Sequence, residues 1–475
     1  MSRAPSDVSS GGRKRGGMSR RELLRMATGG AAAAAAIPWL AACGSSPSSS
    51  SGKTQKNVNM TFLHFFTGTL WTGSFEHLVS QFEQENPHIK WVGIPVVYAN
   101  LEQKYLTLAA GGQPPDGTSL DNTELPSVAA RHLLADLDSY AKNDHFDLGN
   151  FYPARLNNGR YQGKLYGMPI DMGSSAIYYN KDLLDQAGVK YPDASWSYED
   201  YRSAALKLTN DKAGKHPGED GFDAGDIRQY GLAFDVSTYR YYYAYTGYNG
   251  AQYFNKKVSK LELGDEKGQA SLSWWQNLIT KDHVSPTAAV QTSISNGGAL
   301  YPFTSGVYAM EFAWIGLIAY LHQAGVKTTH WDVAPLPRTP TAKYEVGGQT
   351  FVITTGAKNP DAAWSWIKYM TGDQAQKYLG VNGVWFPAQK RFAKFGWPKD
   401  HQPEHFLDAF YDQINADGLA EWWFTPQWPQ WQDTMDSDLS DLFSGLKTPR
   451  QTASAIQSSI GSDVASWRQS NGAGG

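Results

Sequence analysis

The chain is predicted to be an α/β protein, and three observations carry the prediction. The first is a strand-then-helix alternation that begins near residue 59. An extended aromatic run, Asn59 to Phe66, precedes Phe75, Leu78, Val79 and Phe82, which repeat at helical i, i+3, i+4, i+7 spacing. The second is that the pattern recurs: Ile89 to Val97 reads as a strand, and Leu101, Tyr105 and Leu108 mark another helix. Those spacings suit α/β layers on a mainly parallel sheet. The third is size: about 430 residues follow position 42, enough to bury two cores. A single cysteine supplies no disulfide framework, so those cores must carry the stability.

Each element has local causes. Ser74 can cap the first helix, and Asn86-Pro87 ends it. Gly111-Gly112 and Pro114-Pro115 close the second. Lys164 to Pro169 and Ser174 to Asn180 read as strands, and Lys181 to Gln186 as a short helix stopped by Ala187-Gly188. Ser197-Tyr198-Glu199-Asp200 has the S-x-x-D form of a capping box and opens a helix through Leu206. Further helices are predicted at 268–280, 360–371, 403–415 and 449–467, with strands near 331–336 and 345–354. The Gly- and Asp-rich stretch 211–228 is expected to be a surface loop, and no solenoid-type repeat occurs.

The first tenth of the chain has another purpose. Arg13, Lys14, Arg15, Arg20, Arg21 and Arg25 precede an alanine-rich apolar stretch, Met26 to Ala42, that is too short for a good membrane span. Ser19-Arg20-Arg21-Glu22-Leu23-Leu24 resembles a twin-arginine export motif, with Leu23 where Phe is usual. Leu40-Ala41-Ala42-Cys43 resembles a bacterial lipoprotein signal, in which the cysteine thiol receives a diacylglyceryl group and the chain is cut just before it. Residues 1–42 therefore form the expected signal peptide, and the Ser-, Gly- and Pro-rich residues 43–57 a lipidated flexible tether.

Residues 1–42 hold seven Lys/Arg and two Asp/Glu, net +5, which leaves −8 for the remainder of a chain totalling −3. An acidic mature surface is a poor partner for nucleic acid. The 11 histidines form no H-E-x-x-H, and no G-x-S-x-G, Walker loop or G-x-G-x-x-G occurs. Glu219-Asp220-Gly221-Phe222-Asp223 departs from EF-hand spacing. No cofactor or metal is expected.

An ordered set of short motifs does point somewhere. Gly163-Lys164-Leu165-Tyr166-Gly167-Met168-Pro169, then Tyr178-Tyr179-Asn180-Lys181-Asp182-Leu183-Leu184 and Ala187-Gly188, are followed by Pro192 and Trp196-Ser197-Tyr198-Glu199-Asp200. Gly306-Val307-Tyr308-Ala309-Met310 with Trp314, Ala334-Pro335-Leu336-Pro337, Gly347-Gly348, Pro360 with Ala362-Ala363-Trp364, and Gly383 with Pro387 complete the series. Together they resemble the extracellular solute-binding proteins of ABC importers, in the branch that includes maltose-binding protein. The resemblance spans about 60 to 390; the tail from about 395 follows it loosely, and Asp116-Gly117-Thr118 departs from the usual Pro-Asp with β-branched residues.

The resemblance implies a two-lobe, hinge-closing periplasmic-binding-protein fold of type II with discontinuous lobes. The expected division is 58–168 with 298–345 in the N-terminal lobe and 169–297 with 346–475 in the C-terminal lobe. It further implies a monomer, lipid-anchored through Cys43 at the extracellular face of the cytoplasmic membrane. There it would capture a mono- or oligosaccharide between the lobes and hand it to the transmembrane subunits of an ABC permease.

Carbohydrate suits the composition, since 17 Trp, 26 Tyr and 20 Phe make 13% of the chain. Sugar CH faces stack on aromatic rings, and their hydroxyls need fixed polar partners. Most aromatics should be core, Trp364, Trp366 and Trp274-Trp275 among them. The candidates for ligand contact lie on loops at strand ends: Thr67 and Trp71, Asp121 and Asn122, Asp171, the run Tyr239 to Tyr245 with Tyr241 and Tyr242, Glu311 and Trp314, Gly347, Gly348 and Gln349, and Trp385. Trp314 is the leading stacking platform. The cluster Trp422, Trp423, Trp428 and Trp431 either floors the cleft or pins the tail, with Trp423 as its cleft candidate. Two rival readings are a glycan hydrolase using paired carboxylates among Asp121, Asp171 and Glu311, and capture of a polyamine by the same carboxylates. A tethered adhesin fits the ordered motifs less well.

Overall fold

The structure is a computed structural model that describes residues 56–68, 71–235, 245, 247–255, 257–295, 301–337, 347–393, 402–412 and 425–470. In chain order the strands are β1 Val58–His64, β2 Ile89–Pro95, β3 Gly117–Asp121, β4 Arg160–Tyr161, β5 Lys164–Leu165, β6 Gly167–Pro169, β7 Ser175–Asn180, β8 Asn210–Asp211, β9 Ile227–Gln229, β10 Ala233–Phe234, β11 Met310–Trp314, β12 Trp331–Ala334 and β13 Gln349–Ile353.

Two sheets organise the fold. The first runs β2-β1-β3-β13-β6, the second β10-β11-β7-β12. In the first, β1 pairs in parallel with β2 and β3, while β13 runs antiparallel to β3 and β6. In the second, β10 and β11 are parallel and β7 opposes both β11 and β12. Mixed pairing therefore replaces the mainly parallel arrangement expected, because one strand in each sheet arrives from the opposite side of the fold.

Alternation along the strands buries both faces of each sheet. Met60, Phe62, Phe351 and Ile353 pack with helices Thr72–Glu85 and Pro360–Thr371, whereas Leu63, Leu120 and Val352 pack with helices Leu101–Ala110 and Leu125–Ala130. In the second sheet Ile177, Tyr179, Met310 and Phe312 meet helices Tyr198–Leu208, Glu266–Thr280, Trp428–Phe443 and Pro449–Ser470. Its other face, with Tyr178, Trp331 and Val333, packs on helix Leu317–Gln323 and the π-helix Leu407–Asp412. Large buried rings such as Trp366 and Trp331 make these cores expensive to disturb.

The predicted capping box is present. Ser197 Oγ accepts from Asp200 N at 3.2 Å, and Asp200 Oδ2 accepts from Ser197 N at 2.8 Å. Thr72, rather than the expected Ser74 cap, begins the first helix. Residues 211–228 are not a plain loop, because Asn210–Asp211 pairs with Ile227–Gln229, and Asp211 accepts from the backbone N–H groups of Lys215 and Asp223. Of the expected 403–415 helix, the described residues hold a π-helix over Leu407–Asp412, and 413–415 lie outside the described residues. A helix missed by sequence, Trp428–Phe443, has Pro429 in its first turn, where no N–H is needed.

The expected division of the chain is corrected at two segments. Strands β11 and β12, within 298–345, belong to the sheet containing β7, and β13, in 346–475, sits between β3 and β6. Helix Pro360–Thr371 follows β13 into the first core. The chain thus changes sheet after Pro169 and again between Ala334 and Gln349, and beyond Ala388 it packs into the cores of the second sheet. Among the described residues no helix is long and apolar enough to cross a membrane.

Candidate functional site

The crossing segments lie side by side. Met172 N donates to Phe386 O at 2.9 Å, and Gly173 N donates to Gly347 O at 2.8 Å. Bridges Asp171↔Pro387 and Gly173↔Gly347 make a narrow three-stranded strip. The two lobes meet through backbone along this strip.

A cavity of about 380 Å³ opens over this strip. From the first lobe come Phe65, Thr67 and Trp71 after β1, Val97 and Tyr98 after β2, Asp121 at the end of β3, and Gln349 at the start of β13. These positions are the carboxyl ends of parallel strands and their antiparallel neighbour, the edge where open α/β sheets bind ligands. Asp171 to Ser174 and Val384 to Phe386 come from the crossings, and Trp314, Ile315, Gly316 and Tyr320 from the second lobe.

The apolar lining is aromatic and built by contact. Phe65 and Tyr98 rings lie 5.0 Å apart at 72°, Trp71 and Trp385 5.4 Å apart at 47°, and Phe66 braces Trp385 from behind at 4.9 Å. Across the cavity Trp314 meets Tyr320 edge-on at 6.3 Å. Gly316 sets that pose, because a Cβ there would fall 1.9 Å from Trp314 Cζ3.

The polar lining is fixed from behind. Asp121 Oδ2 accepts from the Tyr98 hydroxyl at 3.0 Å and from Gln349 Nε2 at 3.1 Å, while Oδ1 accepts from Thr123. Asp171 Oδ1 accepts from Gln349 N at 2.6 Å and lies 3.6 Å from Arg155 Nη2. Burial raises the Asp121 carboxyl above the usual range, and pushes Asp171 up to about 6 against the opposing pull of Arg155. Behind them, burial and the Asp121 charge raise Glu124 well above its ordinary value. No basic side chain is among the described residues lining the cavity. The chemistry these residues offer is stacking plus hydrogen-bond acceptance.

The pattern of bacterial extracellular solute-binding proteins matches residues 68–377. The chain belongs to this family. The Bacillus subtilis maltodextrin-binding protein MdxE is 24% identical over 351 residues, covering 70% of this chain and 73% of that protein. An ABC substrate-binding protein of Listeria monocytogenes, solved with cycloalternan, superposes with a TM-score of 0.74 at 24% identity, covering 86% of this chain and 99% of its own. The maltose/maltodextrin-binding domain of Bdellovibrio bacteriovorus, solved with maltotriose, gives 0.67 at 17% identity, covering 87% and 100%. The two-lobe fold of these neighbours is the fold seen here.

The sequence-predicted positions do not all reach the cavity. Thr67, Trp71, Asp121, Asp171, Trp314, Gly348, Gln349 and Trp385 converge on the cavity. Asn122 and Gly347 stand just behind: Asn122 Oδ1 accepts from Gly348 N at 3.2 Å, and Gly347 is spent on the bridge to Gly173. Glu311 is a correction. It lies on β11 opposite Tyr178 and does not line the cavity; burial, reinforced by the Asp235 charge, pushes it up to about 8. Tyr241, Tyr242, Trp423 and Cys43 lie outside the described residues. Trp428 and Trp431 are core, packed on Phe254 at 6.2 and 5.7 Å. Sequence reasoning missed Tyr98 and Phe65, although both follow parallel strands and the strand-end rule marks them.

Proposed function

We propose that this protein is a membrane-anchored carbohydrate-binding component of an ABC importer, with a neutral oligosaccharide held in the cavity between its lobes. One observation carries the reading: aromatic faces from both lobes border a single cavity whose only charged groups, among the described residues, are two well-bonded carboxylates. Pyranose CH faces match Trp71, Trp385 and Trp314, and sugar hydroxyls match the acceptors Asp121 and Asp171. The relatives named for maltodextrin and solved with cycloalternan or maltotriose support this class.

Lobe closure around the sugar presents the closed form to the permease, since a ligand favours the state it binds more tightly. The protein acts without turning its ligand over, as a monomer. Twin-arginine export and diacylglycerol on Cys43 keep it beside its transporter. Thermal-shift screening tests the sugar assignment, because binding to the native state raises the transition by mass action. Maltotriose or a related glucan raising the melting temperature supports it. A shift produced only by spermidine, or hydrolysis of the glycan, overturns it.

A further inference from the structure

We infer that Arg155 is a positioning residue that ties the Asp171 carboxylate, on the cavity wall, to two of the segments crossing between the lobes. Arg155 belongs to helix Pro153–Asn158 and its side chain is fully buried. Its Nε donates to Asp171 O at 2.9 Å in the first crossing, and its Nη2 donates to Gln349 O at 2.7 Å in the second. The same Nη2 stands 3.6 Å from Asp171 Oδ1, whose other partner is Gln349 N. One guanidinium therefore holds two backbone carbonyls and one cavity carboxylate.

The packing around it is specific. Gly348 sits at φ +129°, and a Cβ there would lie 2.5 Å from Asp171 Oδ1 and 3.2 Å from Arg155 Nη2. Only glycine combines that backbone with that approach. Neighbouring Tyr152, at the start of the helix, packs with second-lobe residues such as Tyr178 and Phe406, whereas Phe151 packs in the first-lobe core. The helix carrying Arg155 straddles the junction.

Burying a guanidinium costs several kcal/mol in desolvation, and an apolar side chain of similar volume would brace a hinge as well. What an apolar side chain cannot do is answer to the charge on Asp171. With Arg155 fixing residues 171 and 349, rotation between the lobes falls on Met172 to Ser174 and Gly347-Gly348. When Asp171 is ionised, the pair holds the crossings together; when it is protonated, the grip is reduced to neutral hydrogen bonds. Among the described residues the other charged group facing Asp171 is Asp121 on β3, backed by Glu124 and Glu102, with the Tyr98 hydroxyl on Asp121. Burial and the Asp121 charge oppose ionisation of Asp171, and Arg155 is the opposing cation.

The test reads the hinge without any ligand. The full chain carrying Cys43→Ser takes spin labels at Lys104→Cys on the first lobe and Lys327→Cys on the second, both exposed. Interlobe distances are measured by double electron–electron resonance from pH 4.5 to 8. With Arg155 intact the distribution should change with a midpoint near 6. Asp171→Asn should abolish the change; Arg155→Met, which removes the cation, should move the midpoint up by about 1–3 pH units, and Arg155→Lys, which keeps the charge without the forked hold on two carbonyls, should broaden the distribution at every pH. A pH-independent distribution in the parent, or one that Asp171→Asn and Arg155→Lys leave unaltered, overturns the inference. If Arg155→Met fails to fold, the lysine variant and a ¹³C titration of the Asp171 carboxyl decide: a carboxyl whose titration does not coincide with the change in interlobe distance overturns the inference. A parallel maltotriose titration fails or succeeds independently, so loss of the sugar reading is distinguishable from loss of the hinge pair.

Discussion

Gly316→Ala separates ligand stacking from folding stability. Gly316 caps helix Leu317–Gln323 at φ −64°, ψ −18°, a right-handed conformation that alanine adopts freely. The backbone therefore offers no objection, and reduced freedom in the unfolded chain favours alanine by about 0.4–1 kcal/mol. The objection is the Trp314 ring, whose Cζ3, Cη2 and Cε3 atoms would lie 1.9, 2.1 and 2.5 Å from the new Cβ. Because the ring is the far end of a side chain at the cavity wall, it swings rather than unfolding the strand. The cost then falls on binding. Losing one oriented aromatic face removes about 0.5–1.5 kcal/mol, a roughly 2- to 12-fold rise in Kd. The assay is maltotriose titration by calorimetry beside a melting scan of the same sample. Weaker binding with an unchanged or higher Tm is expected. Unchanged affinity with normal folding would refute the stacking role of Trp314, and a collapse in Tm would refute the claim that the ring is free to move.

Three further outcomes follow from other parts of the chain. Glu311 titrates near 8 in the folded protein against an ordinary value of 4.5, so the native state binds more protons than the unfolded state between those values and stability falls as pH rises through them. Glu311→Gln should stabilise the protein at pH 8 by about 2 kcal/mol, short of full conversion because the residue is only partly buried; urea melts showing no gain would contradict this. Ser197→Ala removes the capping box and should cost about 0.5–2 kcal/mol without altering sugar affinity. Cys43→Ser should leave maltotriose affinity intact and release the protein from the membrane fraction, and retention on membranes would contradict lipid anchorage.

The sequence exposed what local physics decides. Ser197 and Asp200 announce their helix because the cap is made within four residues, and helix Pro360–Thr371 matches its predicted span. Trp314 was legible because it ends a recognisable Ala-Met strand. Glu311 was misplaced for a reason visible afterwards: three residues from Trp314 on a strand of period two, it faces the other side, across from Tyr178, while Met310 and Phe312 enter the core. β13 was identified as a strand but placed in the wrong lobe, since its partners β3 and β6 lie more than 180 residues earlier. No local pattern encodes such pairing. Tyr98 escaped because the short 3₁₀ turn Tyr98–Asn100 has no periodicity to read. Arg155 escaped because two of its partners are backbone carbonyls, which carry no sequence signal.

The most direct test of the account is calorimetric titration of neutral oligosaccharides, maltotriose first, into the full chain carrying Cys43→Ser and into the same chain with Trp314→Ala and Trp385→Ala added singly. The account predicts one saccharide per chain in the parent and weaker binding in each tryptophan variant, with both variants folded. Absence of heat with every saccharide tested, or equal affinity in parent and variants, would contradict a carbohydrate held between the aromatic walls of this cavity.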